Sequence, residues 1–350
     1  MYFDLAFCKG GDRYNHLKKS IMKIGIVGAT GLVGRKMTEV LHERNVGFDE
    51  LVMIASERSV GNTIEFGNKK YKVISTDDAL KLKLDYALFS AGSTASLDLA
   101  PKFEANGTIV IDNSSAWRMY DDIKLVVPEV NGHTLTKADR IIANPNCSTI
   151  PLVLVLNPLH KIYGVKRVVV STYQSVSGTG IKGIIQLENE AKGLKTEMAY
   201  PYQIHRNLIP QGGFFFKDGY TSEEIKLVSE TRKIIGDQSI MISPTVVRVP
   251  VVCSHSESVN IEFIKPFVIS DVLNLLAQSP AVVLEDDITI NLYPMPLFCE
   301  GKDDAFVGRI RVDQSQPNSL NLWIVSDNLR LGAATNAVKI LEYIIANINI

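Results

Sequence analysis

The chain has 350 residues, 46% of them hydrophobic, which is material for two packed cores rather than one. Lys and Arg number 37 against 38 Asp and Glu, so no basic footprint for nucleic acid or an anionic membrane surface is present. The four cysteines, at 8, 147, 253 and 299, form no CxxC pair and no Cys/His metal spacing, which argues against a disulfide framework and suits a reducing cytoplasm.

No apolar run approaches the roughly 18 residues that span a bilayer. Residues 1–21 show no clear periodicity and carry a polar middle, Lys9 to Lys19. Asp4 interrupts the only short apolar stretch before Cys8, and no basic segment precedes it, so a signal peptide is not expected. The segment reads as a loose extension, with Met22 a candidate start codon.

From Met22 the pattern becomes regular. Lys23–Gly28 reads as a buried strand ending at a glycine, followed by a helix to about Asn45 with Val33, Met37, Val40 and Leu41 on one face. Leu51–Ala55, Tyr86–Ser90, Thr108–Asp112 and Ile141–Ala143 continue a series of short apolar strands. Strands alternating with helices predict a parallel, doubly wound sheet. From about Val165 the character changes: Val168–Tyr173, Thr245–Val249, Ser258–Phe263, Val307–Val312 and Ser319–Val325 read as a more antiparallel sheet. A closing helix is expected over Gly332–Ile345.

The segment Gly28–Ala29–Thr30–Gly31–Leu32–Val33–Gly34 joins a strand to a helix. Glycines there permit a tight turn and close backbone approach, so a pyrophosphate can sit on free amides at the helix start. The GxxGxxG spacing alone is weak evidence, and a turn without ligand is the bland alternative. Where the second strand ends, an acidic residue would hold the ribose hydroxyls of NAD. The chain has Ser56–Glu57–Arg58–Ser59 at that place. Arg58 flanked by two hydroxyls suits a 2′-phosphate and favours NADP, Glu57 would fit NAD if it pointed inward, and a solvated loop is the third possibility.

Cys147 lies in Asn144–Pro145–Asn146–Cys147–Ser148–Thr149, after a strand and before the apolar stretch Ile150–Leu156. If that stretch is helical, Pro151 fits its first turn and Pro158 kinks or ends it. A thiol at a helix start gains thiolate character, whereas a lone cysteine is ordinarily an inert buried residue. Cys253 and Cys299 have no comparable setting. His255 can shuttle a proton near neutral pH, yet seven residues separate it from Arg248, so both reach one pocket only if the strand bends or ends between them. By itself His255 is more often structural, and Glu223 with Lys226 at i,i+3 reads as a surface ion pair.

Taken in order, GATGLVG (28–34), ASERSVG (55–61), SSAWRM (114–119), NPNCST (144–149), YQSVSGTG (173–180), EEIK (223–226), RVPVVCSHSESVNIE (248–262) and DNLRLGAATNA (327–337) resemble the aspartate-semialdehyde dehydrogenases. The resemblance runs from Met22 to the C-terminus. It implies a Rossmann-type domain over 22–149, completed by a C-terminal helix within 328–350, and an α+β catalytic and dimerisation domain over 150–327. It implies a cytoplasmic homodimer or homotetramer that reduces L-aspartyl 4-phosphate with NADPH. Cys147 would attack the acyl phosphate, Gln174 would orient the acyl group, and His255 would handle the proton as the thiohemiacetal collapses. Arg248 would grip the substrate carboxylate and Glu223 its ammonium, with Arg118, Asn146 and Lys226 on phosphate. Gly28, Thr30, Gly31, Leu32, Val33, Gly34, Ser56, Arg58, Ser59, Ser177, Gly178 and Asn328 would hold the cofactor. Glu57 stands where the family has a small residue, and Ile209–Phe214 departs from the family pattern. N-acetyl-glutamyl-phosphate reductase and a non-enzymatic nucleotide-binding redox sensor are the competing readings.

Overall fold

Strands buried on both faces need no polar alternation, and the short apolar runs of the first half become such strands. The computed structural model describes residues 22–66 and 69–348, so the expected extension over 1–21 lies outside the described residues. The first sheet contains β1 (Lys23–Val27), β2 (Glu50–Ile54), β3 (Thr63–Phe66), β4 (Lys69–Ile74), β5 (Tyr86–Phe89), β6 (Ile109–Asp112), β7 (Lys124–Leu125) and β8 (Ile141–Ala143). Their order is β3-β4-β2-β1-β5-β6-β8-β7, and every pairing is parallel except β3 with β4. That edge hairpin is not announced by the sequence, because the exposed Lys69, Lys70 and Lys72 hide its alternation.

The strand order reverses beside β1, which opens a crevice outside the carboxyl ends of β1 and β5, the usual place for a ligand in such sheets. Gly28 enters it directly after β1, and its N–H donates to the Ile54 carbonyl at 2.8 Å.

The second sheet contains β9 (Val165–Gln174), β10 (Met241–Arg248), β11 (His255–Phe263), β12 (Val282–Leu284), β13 (Ala305–Val312) and β14 (Ser319–Ser326). The order is β10-β9-β11-β14-β13-β12, with β9–β10 and β12–β13 parallel and the other pairs antiparallel. β10 ends at Arg248 and β11 begins at His255, so the strand does end between them.

Between the sheets runs the helix Thr149–Tyr163, every residue of which is buried from Thr149 to Asn157. Its apolar residues share one core with Val127 and Ala143 on one side and Val168, Val259 and Leu322 on the other. Pro158 forfeits one backbone hydrogen bond, yet the helix continues to Tyr163, contrary to an end at that proline. Packing on all sides outweighs the local defect. The C-terminal helix Asn336–Asn347 returns to the first sheet, where Ala337, Ile340, Leu341 and Ile344 pack with Ile24, Ile111 and Ile142. It is preceded by wider turns over Arg330–Thr335, marked by Gly332 N–H donating to the Asp327 carbonyl five residues back.

Candidate active site

Cys147 sits on the two-residue step between Asn146 and the helix that begins at Thr149. Asn146 is fixed at three points. Its N–H donates to Glu230 Oε2 at 2.7 Å, its Nδ2 to Glu223 Oε2 at 2.7 Å, and its Oδ1 accepts from the Ser148 N–H at 2.9 Å. Just before it, Asn144 donates to Asn113 Oδ1 at 2.7 Å and to the Ala333 carbonyl at 3.1 Å. The wider turns after Arg330 bring Gly332 against the cysteine: a methyl added there would lie 2.8 Å from Cys147 Cβ. Only glycine lets the two segments approach this closely.

The thiol opens into a cavity of about 390 Å³ lined by Gln174, Tyr200, Glu223, Arg248 and His255 among others. Burial pushes the thiol up to about 12, and the Glu223 carboxylate adds to that push, while Arg248, Arg118 and Lys226 pull it down. This opposes the thiolate character that a helix start lends. The helix begins two residues later, and burial with Glu223 outweighs the cations. Cys253 and Cys299, both buried and away from this cavity, are likewise pushed up to about 12 by burial.

His255 is buried, and its Nδ1 accepts from the Ser175 N–H at 3.0 Å. That contact places the ring proton on Nε2, which has no hydrogen-bond partner among the described residues. Burial, with the nearby Arg248 guanidinium, holds the imidazole well below its usual pKa. A neutral ring with its Nε2–H at the cavity offers a hydrogen-bond donor there.

Arg248 donates from Nη1 to the Ser175 carbonyl at 2.8 Å and lies over the Tyr200 ring at 5.8 Å. Gln174 donates from Nε2 to Ser148 Oγ at 2.8 Å, which ties β9 to the helix cap. Glu223 and Lys226 do form an ion pair, but Glu223 also lines the cavity, so this is not a solvated surface pair. Burial alone would raise the Glu223 carboxyl, yet Lys226, Asn146 and Arg118 together hold it below its usual range.

Arg118 and Lys226 stand outside the cavity lining, although their charges reach Cys147. Arg118 pairs with the fully buried Glu230 at 3.0 Å and donates to the Asn113 carbonyl at 2.9 Å. Glu230, Tyr200, Asn144 and Gly332 were not legible as site residues. Glu230 falls seven residues after Glu223 on the helix Ser222–Ile235, and that two-turn spacing is the signal that sequence offered.

On the cofactor side, Gly28 adopts φ +87°, and a methyl on it would lie 2.3 Å from the Ser90 carbonyl oxygen. A methyl on Gly34 would lie 2.3 Å from the Gly28 carbonyl oxygen, so strand and helix meet through bare backbone. The helix Leu32–Glu43 starts at Gly31 with no side chain capping it. Thr30, Leu32 and Val33 are half-buried at this start. Ser56 and Arg58 are exposed beyond the end of β2, with Ser59 half-buried beside them, and Glu57 is exposed as well. Ser177 and Asn328 are buried against each other, Asn328 Nδ2 donating to Ser177 Oγ at 3.0 Å. Asn328 Oδ1 also accepts from the Ser254 N–H at 3.0 Å, so it braces the turn that delivers His255. Gly178 is exposed, and a methyl there would meet His255 Nε2 at 3.2 Å.

A dinucleotide-type sheet joined to a cavity with one thiol and a neutral imidazole defines the class of cysteine-dependent dehydrogenases. Residues 23–138 match the family model for the semialdehyde dehydrogenase NAD binding domain, and 156–331 that for the semialdehyde dehydrogenase dimerisation domain. The aspartate-semialdehyde dehydrogenase of Aquifex aeolicus is 48% identical over 332 residues, covering 92% of this chain and 98% of its own. That of Bacillus subtilis is 43% identical, with 92% and 96% covered. Among solved structures, aspartate semialdehyde dehydrogenase II of Vibrio cholerae complexed with ASA superposes with a TM-score of 0.89 at 42% identity, covering 93% of this chain and 98% of that one. The chain belongs to the aspartate-semialdehyde dehydrogenase family.

Proposed function

We propose that this protein catalyses the NADPH-dependent reductive dephosphorylation of L-aspartyl 4-phosphate to L-aspartate 4-semialdehyde, a step of lysine, methionine and threonine biosynthesis through diaminopimelate. The observation that carries the reading is one cavity holding Cys147 together with an acid, Glu223, and a base, Arg248, of opposite charge. A substrate with an ammonium and a carboxylate is matched by that pair, and the acyl group is then left beside the thiol.

The roles follow from the geometry. Cys147 Sγ bonds to the acyl carbon as the bond from that carbon to the phosphate oxygen breaks, giving a thioester, and the thiol proton leaves on the departing phosphate. Asn146, Arg118 and Lys226 receive the phosphate; two of the five N–H donors of Arg118 are engaged by Glu230 and Asn113, which leaves three by count. Gln174 orients the acyl group. His255 donates its Nε2–H to the oxygen that gains negative charge when the thioester forms and again when it is reduced. Collapse of the thiohemiacetal anion then releases the aldehyde and the thiolate without a further proton. Binding of the substrate ammonium to Glu223 offsets the charge that pushes the thiol up, so the nucleophile gains thiolate character with substrate in place.

The cofactor fits the turn at Gly28, Thr30, Gly31, Leu32, Val33 and Gly34, where added methyls would fill the close approach and the helix start has no capping side chain. When bound, NADPH supplies the hydride. Ser56, Arg58 and Ser59 receive the 2′-phosphate, and Gly178, braced through Ser177 and Asn328, forms the wall between cofactor and His255. We assign residues 22–149 with the helix in 328–350 to cofactor binding and 150–327 to catalysis and dimerisation. The assembly is a homodimer or homotetramer in the cytoplasm. No described helix is long and apolar enough to cross a membrane.

The test is the reverse reaction with aspartate semialdehyde, phosphate and either NADP or NAD. Turnover that is faster with NADP is expected. No turnover with either cofactor would contradict the proposal.

A further inference from the structure

We propose that Glu230 is a positioning residue that fixes the phosphate-binding guanidinium of Arg118 relative to the nucleophile. The inference rests on the phosphate-binding role assigned above to Arg118. Glu230 is completely buried, on the helix Ser222–Ile235. Its two oxygens serve two different parts of the site. Oε2 accepts from the N–H of Asn146, the residue before Cys147, at 2.7 Å, and Oε1 accepts from Arg118 Nη1 at 3.0 Å.

The same helix repeats this grip on both segments. Glu223, two turns earlier, takes the Asn146 side chain at 2.7 Å, so Asn146 is held through backbone and side chain by one rigid element. Lys233, one turn later, donates to the Arg118 carbonyl at 2.9 Å and the Tyr120 carbonyl at 2.6 Å. The helix therefore spans the gap between a loop that carries the nucleophile and a segment that carries the anion receptor. Among the described residues of this helix, Glu230 is the side chain that hydrogen-bonds to both.

A carboxylate is the chemistry this needs. Both partners are N–H donors, and a carboxylate is acceptor at both oxygens. A glutamine offers one acceptor and one donor, so its amide nitrogen must face either the Asn146 N–H or the guanidinium. An aspartate keeps both acceptors but is shorter by one methylene, so it reaches one partner at a time. Both changes free Arg118 without removing any group that touches the substrate.

The experiment compares Glu230→Gln and Glu230→Asp with the unaltered protein in the reverse direction, varying phosphate, aspartate semialdehyde and NADP in turn. The expected result is a phosphate KM raised at least about tenfold in both variants, with the KM for semialdehyde and for NADP changed less than about twofold. A purely architectural role would instead lower the amount of active enzyme and leave the phosphate KM where it was. An unchanged phosphate KM, or equal changes in all three KM values, overturns the proposal. Failure of both variants to give folded protein by circular dichroism overturns it too, since Glu230 would then serve the fold alone. If the unaltered protein shows no phosphate-dependent turnover, the functional reading itself fails, and that outcome is distinct from an active protein whose variants behave alike.

Discussion

The two ends of the site are built from different materials. The cofactor end is backbone and surface: glycines that admit close approach, a helix start without a side-chain cap, and the largely exposed segment Ser56–Ser59. The thiol end is buried side chains in a closed network, with Asn146, Gln174, Glu230 and His255 each engaged by defined partners. Tolerance should therefore differ. Changes on the largely exposed Ser56–Ser59 segment adjust affinity, because water can replace what is lost there, whereas a methyl on Gly28 or Gly34 would collide with backbone. Changes at the thiol end leave buried donors or acceptors without partners, at about 1–3 kcal/mol each, and also move the reacting group.

The largest effect tests the thiol end directly. Cys147→Ala is expected to lower kcat by at least about four orders of magnitude in steady-state turnover, since no other thiol among the described residues shares the cavity. Next comes Gly332→Ala, which touches no substrate. Its added methyl displaces Cys147, and a displacement of this kind lowers kcat roughly a hundredfold. A wild-type kcat for that variant would show that the buried end is looser than described.

Arg58→Ala probes the exposed end. It should raise the KM for NADP about tenfold while leaving the KM for NAD within about twofold, the value of one charge-assisted contact to a phosphate. Equal effects on both cofactors would remove the assignment of the 2′-phosphate to this segment.

A smaller effect runs against intuition. Because Glu223 adds to the upward push on the thiol, Glu223→Gln lowers the Cys147 pKa, so iodoacetamide alkylation at pH 8 should be several-fold faster in the variant. Slower alkylation would place the dominant charge elsewhere. The smallest effect concerns stability. Glu257 is buried with neither oxygen partnered among the described residues, and burial holds its carboxyl well above the ordinary range. Its contribution is fully present below the unfolded-state pKa and is lost as pH rises toward the raised folded value. Glu257→Gln removes that loss, so Tm should rise by roughly 2–4 °C at pH 8 and stay unchanged near pH 4, as calorimetry would show.

The same contrast explains what could be read from sequence. The glycine turn is local: its three glycines lie within seven residues and follow a strand directly, so the chemistry is visible as spacing. The parallel strands were legible for the same reason, as continuous apolar runs. The buried end depends on pairs far apart in the chain. Glu230 meets Asn146 across 84 positions and Arg118 across 112, and no local pattern marks it. Gly332 looks like an ordinary helix glycine until the wider turns bring it onto Cys147. The helix position of the thiol is visible as local pattern, whereas its burial beside Glu223 is not. His255 was found, but its tautomer depends on Ser175, 80 residues away.

The central claim is a thioester on Cys147, and the most direct measurement is mass spectrometry of protein mixed with aspartyl phosphate and acid-quenched without reduced cofactor. The account predicts an aspartyl adduct confined to the peptide containing Cys147 and absent from Cys147→Ala. An adduct on another residue, or none in protein that turns over the substrate, would contradict it.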